Sequence, residues 1–155
     1  MFKRILVPLD GSKLAEGVLP SVESLAGQLN AEVYLIQVVG AESESWPKAE
    51  EPAHPVSGRS EWEAKGIQTA ADYLSEAAAA LQSKKLNVKW EVVEGVAAAD
   101  IVNFARFHAI DAIAMSTHGR SGLSRLVFGS VADQVVREAG IPVLLVRPSH
   151  DADQK

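Results

Sequence analysis

Gly119, Gly122 and Gly129, with Ser116 ahead of them and Ser130 behind, are the residues of this chain whose types and spacing best suit a ligand. The apolar run Ala112, Ile113, Ala114, Met115 stops at Ser116, and Thr117, His118, Gly119 and Arg120 follow at once. Phe128, Gly129, Ser130 and Val131 then open an amphipathic segment. The order is strand, glycine-rich loop, helix start. A helix start leaves backbone N–H groups without helical acceptors and carries partial positive charge, so it holds anions. Glycine lets a ligand come close to the main chain. Ser130 is expected to cap the helix or to offer its hydroxyl to a phosphate. Arg120 suits charge-assisted bonds to phosphate, whereas Arg125 reads as a solvated loop residue. A second polar turn, Asp10-Gly11-Ser12, follows another apolar run. Asp10 there either bonds a nucleobase or caps the next helix.

Several chemistries are excluded. His118 has no serine or cysteine in a nucleophile motif, and His54 and His108 lack ligand spacing. Neither the Gly-x4-Gly-Lys-(Ser/Thr) signature nor Gly-x-Gly-x-x-Gly after the first strand is present, and Gly-x-Ser-x-Gly is missing. Asp10 is the only carboxylate in the two turns. No residue is therefore placed to activate water, and the chain is not expected to be an enzyme. Cysteine is absent, which removes disulfides and thiolate chemistry. The net charge of −5 argues against binding to nucleic acid or to an anionic membrane. No leader or membrane span is evident, and a cytoplasmic location is expected.

The elements that must hold these turns follow from periodicity. In 155 residues, 47% hydrophobic, one core is expected. Continuous apolar runs at 3–9, 32–39, 112–116 and 141–147 read as buried strands, and 88–94 alternates as a strand with one wetter face. Helical spacing spans 13–29, 61–85, 96–108 and 129–139. Pro20 predicts a kink in the first of these helices, and Gly140 a stop to the last. Residues 40–60 read as a long exposed loop and 149–155 as a polar tail. Trp90 reads as packing. Strands alternating with helices imply a three-layer α/β sandwich with a five-stranded, mostly parallel sheet. In such sheets ligands bind beyond the carboxyl ends of the strands, where strand order reverses.

From Ile5-Leu6-Val7-Pro8-Leu9-Asp10-Gly11-Ser12 to Pro142-Val143-Leu144-Leu145-Val146, the chain resembles the universal stress protein family. The most specific likeness is Met115-Ser116-Thr117-His118-Gly119, then nine residues, then Gly129-Ser130. Nucleotide-binding members carry Gly-x2-Gly-x9-Gly-(Ser/Thr); here Ser116 replaces the first glycine, which puts a side chain at the approach to the ribose. The resemblance implies a domain over residues 1–148 of the adenine-nucleotide α-hydrolase-like type, with strand order 3-2-1-4-5. It implies ATP or AMP as ligand, with magnesium or manganese as the accompanying ion. Asp10 and the backbone near Val38 would face the adenine, Pro8, Leu9 and Ser116 would lie near the ribose, and Met115 would belong to the same binding set. Gly119, Arg120, Gly129, Ser130 and Val131 would surround the phosphates. A homodimer through the last strand, 142–146, is implied as well.

Two functional readings follow. One is a nucleotide-binding stress-response regulator whose occupancy biases contacts with a protein partner. The other is a nucleotide-free dimeric interaction module of the same fold, motivated by Ser116, and beside both stands a very slow ATP hydrolase without a defined base.

Overall fold

A computed structural model describes residues 2–40, 61–117 and 129–147. The elements run β1 (Arg4–Pro8), α1 (Lys13–Glu16), α2 (Leu19–Leu29), β2 (Glu32–Val39), α3 (Glu61–Gln82), β3 (Asn87–Glu94), α4 (Ala97–Phe107), β4 (Ala112–Ser116), α5 (Ser130–Glu138) and β5 (Val143–Val146). The expectations for 41–60 and for the tail lie outside the described residues, as do those for His118, Gly119, Arg120 and Arg125.

The five strands form one sheet in the order β3-β2-β1-β4-β5, and every pairing is parallel. Ile5, Leu6 and Val7 of β1 have no exposed surface. A central strand covered on both faces needs such a run. Alternation sends successive side chains to opposite layers. Ile5, Val7, Leu9, Val33 and Leu35 pack with Val22 and Ala26 of α2 and with Leu74, Ala78 and Leu81 of α3. Leu6, Ile36, Ile113 and Met115 pack with Ile101, Val102 and Phe104 of α4 and with Ala132 and Val135 of α5. Each fully buried leucine or isoleucine contributes about 2 kcal/mol on transfer from water.

Three expectations are corrected here. Residues 13–29 do not form one kinked helix. The chain breaks after Glu16, Gly17 closes α1, and Pro20 sits in the first turn of α2, where its missing N–H costs nothing. The helix from 61 stops at Gln82 because Lys85 turns left-handed (φ 67°) to enter β3. Trp90 is not core packing: it lies on edge strand β3 and is 41% exposed. Gly140 does follow α5 with φ 68°, the left-handed conformation that ends helices.

Candidate functional site

The strand order reverses between β1 and β4, because α2 leaves β1 toward one layer and α5 follows β4 into the other. A crevice at the carboxyl ends of β1 and β4 is the consequence. Four pieces of chain meet there.

The first piece is the turn after β1. Pro8 ends the strand, and the buried Leu9 still donates its N–H to the Ile36 carbonyl at 2.8 Å. Gly11 takes φ 85°, a conformation that side chains resist. Asp10 is exposed, and its Oδ1 accepts the Ser12 N–H at 2.8 Å. Ser12, not Asp10, caps α1: its Oγ accepts the Ala15 N–H at 3.1 Å. Asp10 thus shapes the turn and keeps an exposed carboxylate at the crevice.

The end of β2 is the second piece. Its ladder with β1 stops at Pro8↔Ile36, yet β2 runs on to Val39 beside β3. Backbone polar groups alternate sides along a strand. Ile36 accepts from Leu9 on the β1 side and Val39 from Gly95 on the β3 side at 2.9 Å. The N–H and C=O of Val38 therefore project to the β1 side, past the last paired residues. Its side chain is buried in the layer of α4 and α5.

Beside Val38 stands Gln37, which the sequence reading passed over. It is 6% exposed, and its Oε1 is buried with no hydrogen-bond partner among the described residues. A Cβ placed on Gly11 would come within 4.0 Å of its Nε2, so the carboxamide lies under the β1–α1 turn. The signal was present as a polar residue inside the apolar run of β2, between Ile36 and Val38.

The third piece is the end of β4. Met115 is buried in the layer of α4 and α5. Ser116 is half-buried, and its Oγ donates to the Ala15 carbonyl at 3.1 Å, tying β4 to α1. It ends a regular strand and is not among the residues with positive φ, so replacing glycine by serine imposes no left-handed strain. On the same side Tyr73 of α3 donates its phenol O–H to Glu16 Oε1 at 3.0 Å. Burial holds that phenol well above its ordinary pKa, and the Glu16 carboxylate adds to the shift.

The start of α5 completes the crevice. Gly129, not Ser130, is the N-cap, with φ −54° and ψ 153°. Ser130 is the exposed first helical residue, which corrects the capping expectation. Glycine brings no side chain to receive the first-turn N–H groups of Ser130, Val131 and Ala132. Ala132 is buried in the same layer as Met115, and α5 is the element that follows β4 in the chain. Among the described residues no group of three His, Asp or Glu side chains could hold a metal ion. They provide no protein cage for a divalent cation, and no step is assigned to one.

Residues 1–147 match the family model described as the universal stress protein family, and the chain belongs to that family. Universal stress protein MJ0531 of Methanocaldococcus jannaschii is 32% identical over 155 residues, which cover 95% of this chain and 83% of that protein. The solved structure of MJ0577 from the same organism is 26% identical, with a TM-score of 0.76 over 97% of this chain and 99% of that one. Two further solved structures carry ligands: a universal stress protein in complex with cAMP (18% identity, TM-score 0.60) and one from Archaeoglobus fulgidus in complex with dAMP (19%, 0.64). They cover 96% and 94% of this chain and 98% and 97% of their own, and at these identities the likeness is one of fold.

Proposed function

We propose that this protein binds an adenine nucleotide, AMP or ATP, across the carboxyl ends of β1 and β4, and acts as a ligand-responsive binding protein. The observation that carries the reading is the start of α5, capped by a glycine and set at the switch point. Phosphoryl oxygens are the natural partners of such N–H groups. The β2 ledge at Val38 offers a backbone donor and acceptor side by side, the pattern an adenine edge complements. The cAMP and dAMP complexes of two proteins of the same fold support the choice of ligand.

The reading includes no catalytic base. Asp10 spends one oxygen on its own turn, and the first-turn acid of α5, Asp133, pairs with Arg137 at 3.1 Å. We assign the protein to signalling by occupancy in the cytoplasm. Its dimer would pair the outer side of β5, whose Leu144 is 39% exposed. Among the described residues no helix is long and apolar enough to cross a membrane. Titration calorimetry of nucleotide-stripped protein with AMP and with ATP tests the proposal. Heat of binding at micromolar to millimolar ligand is expected, and Gly129→Glu should abolish it by setting a carboxylate against the phosphates. Silence at millimolar nucleotide, or unchanged affinity in that variant, would refute the site.

One observation favours the alternative of a nucleotide-free interaction module: the Ser116 hydroxyl, in place of a glycine hydrogen, is already bonded across the crevice to Ala15. Native mass spectrometry separates the two, since co-purified adenine nucleotide excludes the module.

A further inference from the structure

We infer that Gln37 is the residue that selects the base, with its Oε1 accepting from an exocyclic amine. The inference rests on the nucleotide reading above and deepens it.

A buried carbonyl oxygen without a donor is uncommon, because it forfeits its bonds to water and gains nothing in return. Gln37 Oε1 is the one buried side-chain atom in this condition among the described residues. Its place is the reason to assign it a ligand. Leu35 and Val33 share its face of β2, which α2 and α3 cover, but Gln37 lies at the carboxyl end of that face, beneath Gly11. Its neighbour Val38 is the residue whose backbone overhangs the end of β1. Adjacent strands are about 4.8 Å apart, so β2 stands about 10 Å from β4 across β1. That is the length of a nucleoside. A nucleotide with its phosphate at α5 must lay its base on the β2 ledge, beside the Gln37 carboxamide.

A carboxamide oxygen only accepts. The base edge that meets it must therefore donate, and of the common purines adenine presents a 6-amino group while hypoxanthine presents a 6-oxo group. Val38 offers a backbone donor and acceptor to any base of matching shape. Gln37 adds the requirement for an amine.

The test compares AMP with purine riboside 5′-monophosphate, which lacks the 6-substituent altogether. Inosine monophosphate is a poorer probe, because its N1–H and 6-oxo group also reverse the pattern that meets the Val38 backbone. The wild-type protein is expected to bind AMP ten- to a hundredfold more tightly than the purine analogue. Gln37→Leu is expected to narrow that preference about tenfold, what remains being the bond of the amine to the Val38 carbonyl. The same variant, free of ligand, should melt no lower than wild type, because it removes an unpaired buried carbonyl. Equal wild-type affinity for the two nucleotides overturns the inference and leaves the nucleotide site standing. A lower melting temperature in Gln37→Leu with AMP preference intact overturns it as well, and assigns Oε1 to an internal water. Binding of neither nucleotide overturns the site itself and the inference with it. The wild-type comparison needs no variant to fold.

Discussion

The two ends of the same strands are finished differently. At the amino edge, polar groups are paired with one another. Asp111 Oδ2 accepts the N–H groups of Lys3 and Arg4 at 2.8 and 2.9 Å. Arg4 also donates to the His108 carbonyl at 3.2 Å. Glu32 is flanked by Lys89 at 2.6 Å and Arg4 at 3.9 Å, and accepts from the Tyr34 hydroxyl at 3.3 Å. Phe104 stacks on His108 with ring centroids 3.9 Å apart. At the carboxyl edge, Val38 overhangs the ladder, Gln37 Oε1 has no donor, and α5 starts on a glycine. One edge has used its bonding capacity to hold the sheet together. Among the described residues, the other leaves bonding capacity unused.

Substitutions at the two edges sharpen or break this contrast. The largest effect is expected at the root of the carboxyl edge, where a Cβ on Gly40 would run into the Gly95 carbonyl. The obstacle is backbone and cannot yield, so Gly40→Ala should cost about 3 kcal/mol in urea denaturation. Asp111→Ala should cost about 1–2 kcal/mol, because two backbone N–H groups lose their acceptor. The backbone N–H of Lys3, first among several causes, holds the Asp111 carboxyl below the ordinary aspartate range. Its contribution is therefore present above the unfolded-state pKa and is lost as pH falls through the lower folded value. The penalty of Asp111→Ala should shrink in the acid range; a constant penalty from pH 7 to pH 2 would contradict the pairing. Ser116→Ala should cost about 1 kcal/mol by releasing the bond to Ala15. The smallest effect belongs to Lys89→Ala, whose exposed ion pair with Glu32 should leave the melting temperature unchanged within error. If Ser116→Ala proved clearly more harmful than Asp111→Ala, the two edges would not differ as described.

The fold was legible because its strands announce themselves. Residues 32–39 and 112–116 were bounded as observed, since continuous apolar runs with polar turns have few other solutions. The strand order came from the family resemblance, and the structure bears it out. Ends of helices were harder. Gly17 and Pro20 each weaken a helix, and only together do they divide one; Gly129 against Ser130 was a contest between two good N-caps that packing of Ala132 and Val135 decides. Gln37 was missed because one polar residue in an apolar strand is read as noise unless its partners are known. Those partners are a matter of three-dimensional placement: Gly11 is 26 positions away in the chain.

The separation of α1 from α2 has a consequence for motion. With four residues and no buried side chain, α1 has almost nothing to anchor it by itself. It is moored by Ser116 to its Ala15 carbonyl and by Tyr73 to its Glu16 carboxylate, bonds reaching in from β4 and α3. Amide deuteration should therefore invade residues 13–18 long before 19–29, and among the described helices that short turn is the first expected to come undone.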